Sequence, residues 1–349
     1  MRRILALLLA LLTVVSLAAC SKSEADSSQP TSAETGQTAP EEGGEGQDNT
    51  PMTKPPFKTV YYWVEKKVTN GNATSVYSRS YDAKGNLLTD SYRPHNNVGG
   101  YSYTYTYDES GKCLTEAGED QNGSWSIEYT YDESGKPDTK TTETIDGLET
   151  VKYSYDASGK LIKGVQVLSK DSQIVTEYTY SRKGYLVKEQ TSVIRGDATE
   201  IREAKEYLYD INGNIASCSI YEGTELISKQ LWSYDEKGRL AVEITLNSED
   251  KGKGVSYTYG KFDRILMTVT GTYLNTEIQS IEAYEELIYD ERQLLGRRIC
   301  YGADENPTGE YEYTYDSHGN LVKEKLYRYK DNKMSVTEYT YIAIQIPKD

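Results

Sequence analysis

Histidine is almost missing from this chain. There are two in 349 residues, His95 and His318, more than two hundred positions apart. Little is left for imidazole acid–base work, nucleophile activation or a His-based metal site. His95 lies in the polar stretch "RPHNNVGG" and His318 in a turn, so both are expected to face solvent. The four cysteines, Cys20, Cys113, Cys218 and Cys300, show no CxxC spacing, which argues against a metal knuckle or redox pair. Spacing leaves a Cys218–Cys300 bridge open. No nucleophile elbow, HExxH, phosphate-binding loop or dinucleotide-binding glycine pattern occurs, so neither catalysis, a cofactor nor a resident metal is expected. Positive charge is short as well: 39 Lys and Arg face 54 Asp and Glu, a formal net charge of −15. Such a surface repels phosphate backbones, and nucleic acid is excluded as a partner. Long apolar runs are absent apart from the first twenty residues.

That stretch, "MRRILALLLALLTVVSLAAC", places two arginines before a mainly apolar run of sixteen residues, Ile4 to Ala19. Sixteen fall short of the roughly 20 that span a bilayer as a helix. A positive start, a short apolar run and small residues before a break make a secretory signal over residues 1–19. Leu17, Ala18, Ala19 and Cys20 resemble the lipobox of bacterial lipoproteins. The resemblance implies that the signal is cut before Cys20, which is acylated and holds the protein to the bacterial cell membrane, facing outside the cytoplasm. Residues 20–56 then run through Ser, Thr, Glu, Gly and Pro with almost nothing apolar. Such a segment cannot bury enough surface to offset its ordering entropy and reads as a tether.

What the chain has in plenty is tyrosine: 33, against 2 Phe and 3 Trp. Tyrosine suits a half-buried pleated surface. The phrase "YTYDESGK" stands at 105–112 and again at 129–136, and near-copies continue. Its second Tyr falls at 81, 107, 131, 155, 180, 209, 234, 259, 289 and 315, and a partial copy ends at Tyr341. Tyr alternating with Thr, Ser or Glu is a strand with two unlike faces. The following Asp starts a turn by bonding backbone N–H groups two residues on. The Gly three residues later takes positive φ without a steric penalty. The regular turn pairs are Asp82 and Gly85, Asp108 and Gly111, Asp132 and Gly135, Asp156 and Gly159, Asp210 and Gly213, Asp235 and Gly238, and Asp316 and Gly319. An aliphatic residue, as at Leu87 and Leu161, opens the return strand; Cys113 takes that place once and is expected to be a buried thiol. Ser181 and Gly260 replace the Asp, and Asp263 and Gln293 the Gly, so remodelled turns are expected there.

The phrase is a β-hairpin, and residues 57–349 form an all-β domain of about ten repeated hairpins of ~25 residues, roughly twenty-two strands in a long antiparallel meander. Open twisted sheets rarely exceed ~10 strands without curling. The sheet is therefore expected to curl or spiral into a shell or solenoid, Tyr and Leu inward, Thr, Glu and Lys outward. The pattern Tyr-Asp-x-x-Gly-[Asn/Lys/Arg]-Leu resembles the YD-repeat (RHS-repeat) family, which implies a spiral β-shell and a place on a cell surface. A looser likeness is to choline-binding-type wall repeats, which also pair aromatic strands with short glycine turns.

The repeated Asp residues are expected to cap turns and not to bind calcium, since each turn offers one regular carboxylate where calcium wants six to eight oxygens. Arg195-Gly196-Asp197 matches an integrin-binding tripeptide but is what an ordinary turn also contains. Tyr61, Tyr62, Trp63 and Tyr221 break the alternation and are candidates for exposed ligand-binding rings. Address, scaffold and missing catalytic motifs together point to a non-catalytic binding or adhesion scaffold for cell-wall polysaccharide or a surface protein. The alternatives are a structural envelope element without a ligand and a glycan hydrolase built on two carboxylates.

Overall fold

The computed structural model describes residues 57–347. The signal, the lipobox with Cys20 and the tether lie outside them. The described residues form twenty-two antiparallel strands, β1 to β22 in chain order, and a single 3₁₀ turn, Lys261–Asp263. The first six strands set the pattern: β1 (Phe57–Asn70), β2 (Ala73–Tyr81), β3 (Leu87–Arg93), β4 (Tyr101–Tyr107), β5 (Cys113–Asp120) and β6 (Gly123–Tyr131).

Each Asp turn is built alike. The Asp108 N–H donates to the Lys112 carbonyl at 2.9 Å, and the Gly111 N–H donates to the Asp108 carbonyl at 3.1 Å. Asp108 Oδ1 accepts the N–H groups of Ser110 and Lys112 at 2.8 and 2.9 Å. Gly111 sits at φ 87°, where a Cβ would be strained. Gln293 adopts φ 63° and still donates its N–H to the Asp290 carbonyl, so that turn keeps its shape without glycine. At 260–264 the turn is rebuilt: Phe262 and Asp263 both take positive φ.

The spiral that the YD-repeat resemblance implies does not form. β22 (Lys333–Pro347) pairs with β1 from Phe57↔Pro347 to Asn70↔Ser335, so the meander closes on itself as a single barrel. The closing pair copies the hairpins. Within them Tyr81 faces Leu87, Ser80 faces Thr89, and Leu88 is the extra residue of a bulge. Across the seam Tyr341 faces Trp63, Thr340 faces Glu65, and Val64 is the extra residue. The two chain ends thus supply an eleventh hairpin that lacks its turn. A belt of tyrosine hydroxyls follows the same rule. Tyr107 donates to the Leu87 carbonyl at 2.8 Å, Tyr180 to Leu161 at 2.9 Å, and Tyr341 to Leu321 at 2.9 Å. Tyr81 closes the belt on the Trp63 carbonyl at 3.4 Å. With twenty-two strands the wall is about 40 Å across, too wide for side chains to fill.

The register decides which face lines the interior. From Tyr77, four residues from the Asp-turn rim at Tyr81, partners lead through Tyr92 to Tyr101, six from the rim at Tyr107; likewise Ser102, five from Tyr107, leads through Glu119 to Ser124, seven from Tyr131. The stagger is two residues per hairpin, and its direction fixes how the strands lean. The Asp108 N–H and C=O aim at β5, so the Tyr107 and Tyr105 backbone groups aim at β3. For L-residues in a sheet of natural twist, this combination turns the Tyr face to the lumen. Burial agrees: along β4 the Tyr residues are half-buried and Ser102, Thr104 and Thr106 exposed.

The outer face carries Ser, Thr and cross-strand Lys–Glu pairs: Lys188–Glu206 at 3.2 Å, Lys323–Glu338 at 2.9 Å and Lys325–Glu312 at 3.3 Å. The expected inward place of every Leu and Tyr needs correction, since Leu231 and Leu208 also lie on the outer face. Leu246, the most buried large side chain at 1 % exposure, alternates with lumen residues and lies on the outer face with Ile244 and Tyr273. Gly254 leaves room there, because a Cβ would meet the Tyr273 ring at 2.9 Å.

Candidate functional site: an aromatic pavement on the lumen wall

Cross-strand partners in a sheet lie 4.5–5.5 Å apart, close enough for rings to meet. On the lumen face near the seam the register lines aromatic residues up across six strands. Lys66 on β1 faces Tyr77 on β2, which faces Tyr92 on β3, which faces Tyr101 on β4. Tyr77 and Tyr92 stack with centroids 4.5 Å apart, and Tyr101 and Tyr103 stack at 4.5 Å and 16°. The row crosses β5 at Gly118, the shared partner of Tyr103 and Trp125. A Cβ there would lie 2.5 Å from the Trp125 ring and 2.6 Å from that of Tyr103, so only glycine lets the two rings meet, at 5.5 Å. Lys66 Nζ sits 5.3 Å from the Tyr77 centroid and 5.7 Å from that of Tyr339.

A polar cluster anchors the pavement. Asp90 is 8 % exposed and accepts Arg79 Nε at 2.8 Å and the Tyr101 hydroxyl at 3.1 Å. Arg79 in turn lies 4.1 Å from the Trp63 ring. Burial, and then the Asp90 carboxylate, push Tyr101 up to about 12, so it stays a hydrogen-bond donor at any physiological pH. The result is a run of flat apolar ring faces edged by hydroxyl, guanidinium and ammonium groups. Such a surface suits the apolar face and hydroxyl rim of sugar rings.

The residues singled out in the sequence are placed as follows. Tyr61, Tyr62, Trp63 and Tyr221 are all half-buried. Tyr61 meets the His318 ring at 4.7 Å and Tyr62 the Tyr81 ring at 4.7 Å, so these two brace the seam at the Asp-turn rim. Trp63 joins the pavement through Arg79. Tyr221 stands far around the ring, between Ala204 and Leu226. Gly196 of the Arg-Gly-Asp turn donates its N–H to the Asp171 carbonyl, and Arg195 pairs with Glu200 at 3.2 Å. Cys113, Cys218 and Cys300 are free thiols, with no Cys218–Cys300 bridge. Burial, then Glu285, pushes Cys300 up to about 11, away from the reactive thiolate. Among the described residues no three His, Cys, Asp or Glu side chains converge on a metal-sized point. Sequence reading missed Tyr77, Tyr92, Gly118 and Trp125 as a set. The available signal was Gly118 between two aromatic strands, which needs the register to be read.

No family model and no curated protein matches the chain. The YD-repeat resemblance is overturned by the closed barrel, a different architecture from the spiral it implies. Among solved structures the chain is similar to a porin-like protein from Bacteroides uniformis, at 12% identity over 82% of this chain and 97% of that one, with a TM-score of 0.27. It is also similar to a porin-like protein from Bacteroides vulgatus, at 10% identity over 81% and 99%, with a TM-score of 0.26.

Proposed function

We propose that this protein is a hollow, water-exposed β-barrel, held beside a bacterial membrane by a lipid on Cys20, and that it binds a glycan chain along the aromatic pavement of its lumen. The pavement from Lys66 to Trp125 is the observation that carries the reading. The barrel does not cross the membrane in this reading. A spanning barrel turns an apolar band to lipid and polar groups inward, and a Lys on the lipid face costs about 2–4 kcal/mol at mid-depth. Here the pattern differs: Lys188–Glu206 and Lys323–Glu338 stand outside and the hairpin tyrosines such as Tyr103 and Tyr105 inside, with the Ile244, Leu246 and Tyr273 cluster the apolar exception on the outer face. The protein binds without catalysis, and wall polysaccharide is the natural partner for a scaffold at that address.

The test is a pull-down of residues 57–349 on purified cell-wall polysaccharides and a glycan panel, with glycan length measured afterwards. Saturable retention at unchanged length, lost in Tyr103→Ala and Trp125→Ala, supports the reading. Shortened glycan would make the protein a hydrolase. No retention would remove the glycan and leave a structural envelope element.

A further inference from the structure

On the wall opposite the pavement, the lumen face carries a separate groove. It spans β14 (Glu225–Tyr234), β15 (Leu240–Asn247), β16 (Lys251–Tyr259) and β17 (Ile265–Leu274). In a ring of twenty-two strands β4 and β15 stand eleven places apart, which is as far as the ring allows. Register builds the groove from two parallel rows. Trp232 faces Glu243, which faces Val255, which faces Thr270; one step away Gln230 faces Thr245, which faces Lys253. All alternate in phase with Tyr234, Tyr257 and Tyr259 and so point into the lumen. The cavity holds about 240 Å³. That is the liquid volume of about eight waters, the scale of one sugar ring and not of a chain.

We infer that this groove is a second binding site, a subsite for a single pyranose ring, either a chain terminus or a branch. The inference rests on the reading that the lumen binds glycan, but on different residues. The chemistry is complete in the lining. Trp232 offers the one large flat apolar face. Glu243 offers a carboxylate for paired sugar hydroxyls, held in place by the Tyr257 hydroxyl, which donates to Oε1 at 2.5 Å. The Gln230 amide and the Thr245 and Thr270 hydroxyls supply further donors and acceptors around the same space. Lys253 is neutralised by Glu282 at 2.8 Å, so no net positive charge demands an anionic sugar. The ligand class is a neutral pyranose, stacked on Trp232 and bonded to Glu243. Pavement and groove together would hold a branched or folded glycan at two points inside one barrel, raising avidity over either site alone.

The chain contains three tryptophans: Trp63 at the seam, Trp125 in the pavement and Trp232 in the groove. The full chain, labelled with 5-fluorotryptophan and kept in detergent micelles, therefore gives three fluorine NMR signals, assigned by single Trp→Phe variants. Glucose, galactose, mannose and N-acetylglucosamine are titrated singly, then a wall polysaccharide. At least one monosaccharide is expected to shift the Trp232 signal saturably, with a dissociation constant on the order of millimolar for so small a ligand. Glu243→Gln keeps the shape of the side chain and should weaken that shift about tenfold, with the Trp125 signal unmoved. Polysaccharide shifting Trp125 while no monosaccharide moves Trp232 would overturn the groove and leave the pavement standing. Monosaccharides moving only Trp63 or Trp125 would overturn it equally. A Trp232 response without any polysaccharide response at Trp125 would uphold the groove and sink the pavement, and silence at every signal would sink both.

Discussion

At the scale of single residues, two side chains repeat with a fixed task. The Asp carboxylates cap turns. Asp108, Asp132 and Asp156 are held below the usual carboxylate range, first by the hydroxyl of the Ser two residues on and then by the backbone N–H four residues on. A depressed folded pKa contributes stability that is present above the unfolded value, near 4, and is lost as pH falls through the folded value. The tyrosines act in the opposite sense. Burial foremost pushes Tyr101, Tyr207 and Tyr313 up to about 12, so their contribution is full below the unfolded value near 10 and is lost as pH rises through the folded one. Thermal unfolding followed by circular dichroism should therefore show a plateau between about pH 4 and pH 10, with Tm falling on both sides. A single broad maximum near neutrality would contradict this. Each belt hydroxyl is a backbone clamp between hairpins: Tyr180→Phe leaves the Leu161 carbonyl without that donor and should cost about 1 kcal/mol, a Tm loss of roughly 2 °C.

At the scale of elements, β5 and the seam are the sensitive places. β5 presents no side chain at Gly118, and the pavement depends on that gap. Gly118→Val should keep the strand, since valine favours β structure, yet force Tyr103 and Trp125 apart. Glycan retention should fall at least tenfold while the far-ultraviolet circular dichroism stays unchanged. Wild-type retention in this variant would mean that the continuous row is not the binding surface. The seam makes a topological prediction. Because Tyr341 and Trp63 pair in the same bulged register as Tyr81 and Leu87, the chain ends can be joined there. A circular permutant linking Tyr341 to Trp63 by the turn sequence of residues 108–112, and opened at another Asp turn, should fold with a Tm within a few degrees of the parent. Aggregation of the permutant would show that the ends of β1 and β22 beyond the rim, where Tyr61 and Tyr62 brace His318 and Tyr81, carry more of the closure than the register does.

At the scale of the molecule, the distribution of polarity decides where the barrel can sit. On the proposed reading the outer wall, with its Thr, Ser and Lys–Glu pairs, faces water and the anchor comes from outside the barrel. Residues 57–349 should purify as a soluble species without detergent, and Cys20→Ala should move the full chain from the membrane fraction to the aqueous one. A detergent requirement for residues 57–349 would place the barrel in the bilayer and reverse the proposal.

The sequence by itself determined the local rules: where strands meet each Asp turn, which residue caps that turn, and that strands come in pairs about 25 residues apart. These are legible because each depends on a handful of neighbours: the period-two alternation in "YTYTY", the Asp that bonds two residues on, the Gly that takes positive φ. Tertiary structure alone decided the rest. Curling and closing are nearly the same locally, and the difference is set by a stagger of two residues per hairpin accumulated around the whole ring. Only when Trp63 meets Tyr341 does the sum return to its start and the last edge vanish. The pavement has the same origin. Lys66, Tyr77, Tyr92, Tyr103 and Trp125 are spread over sixty residues of chain and become one surface because register, which no single strand encodes, stacks them side by side.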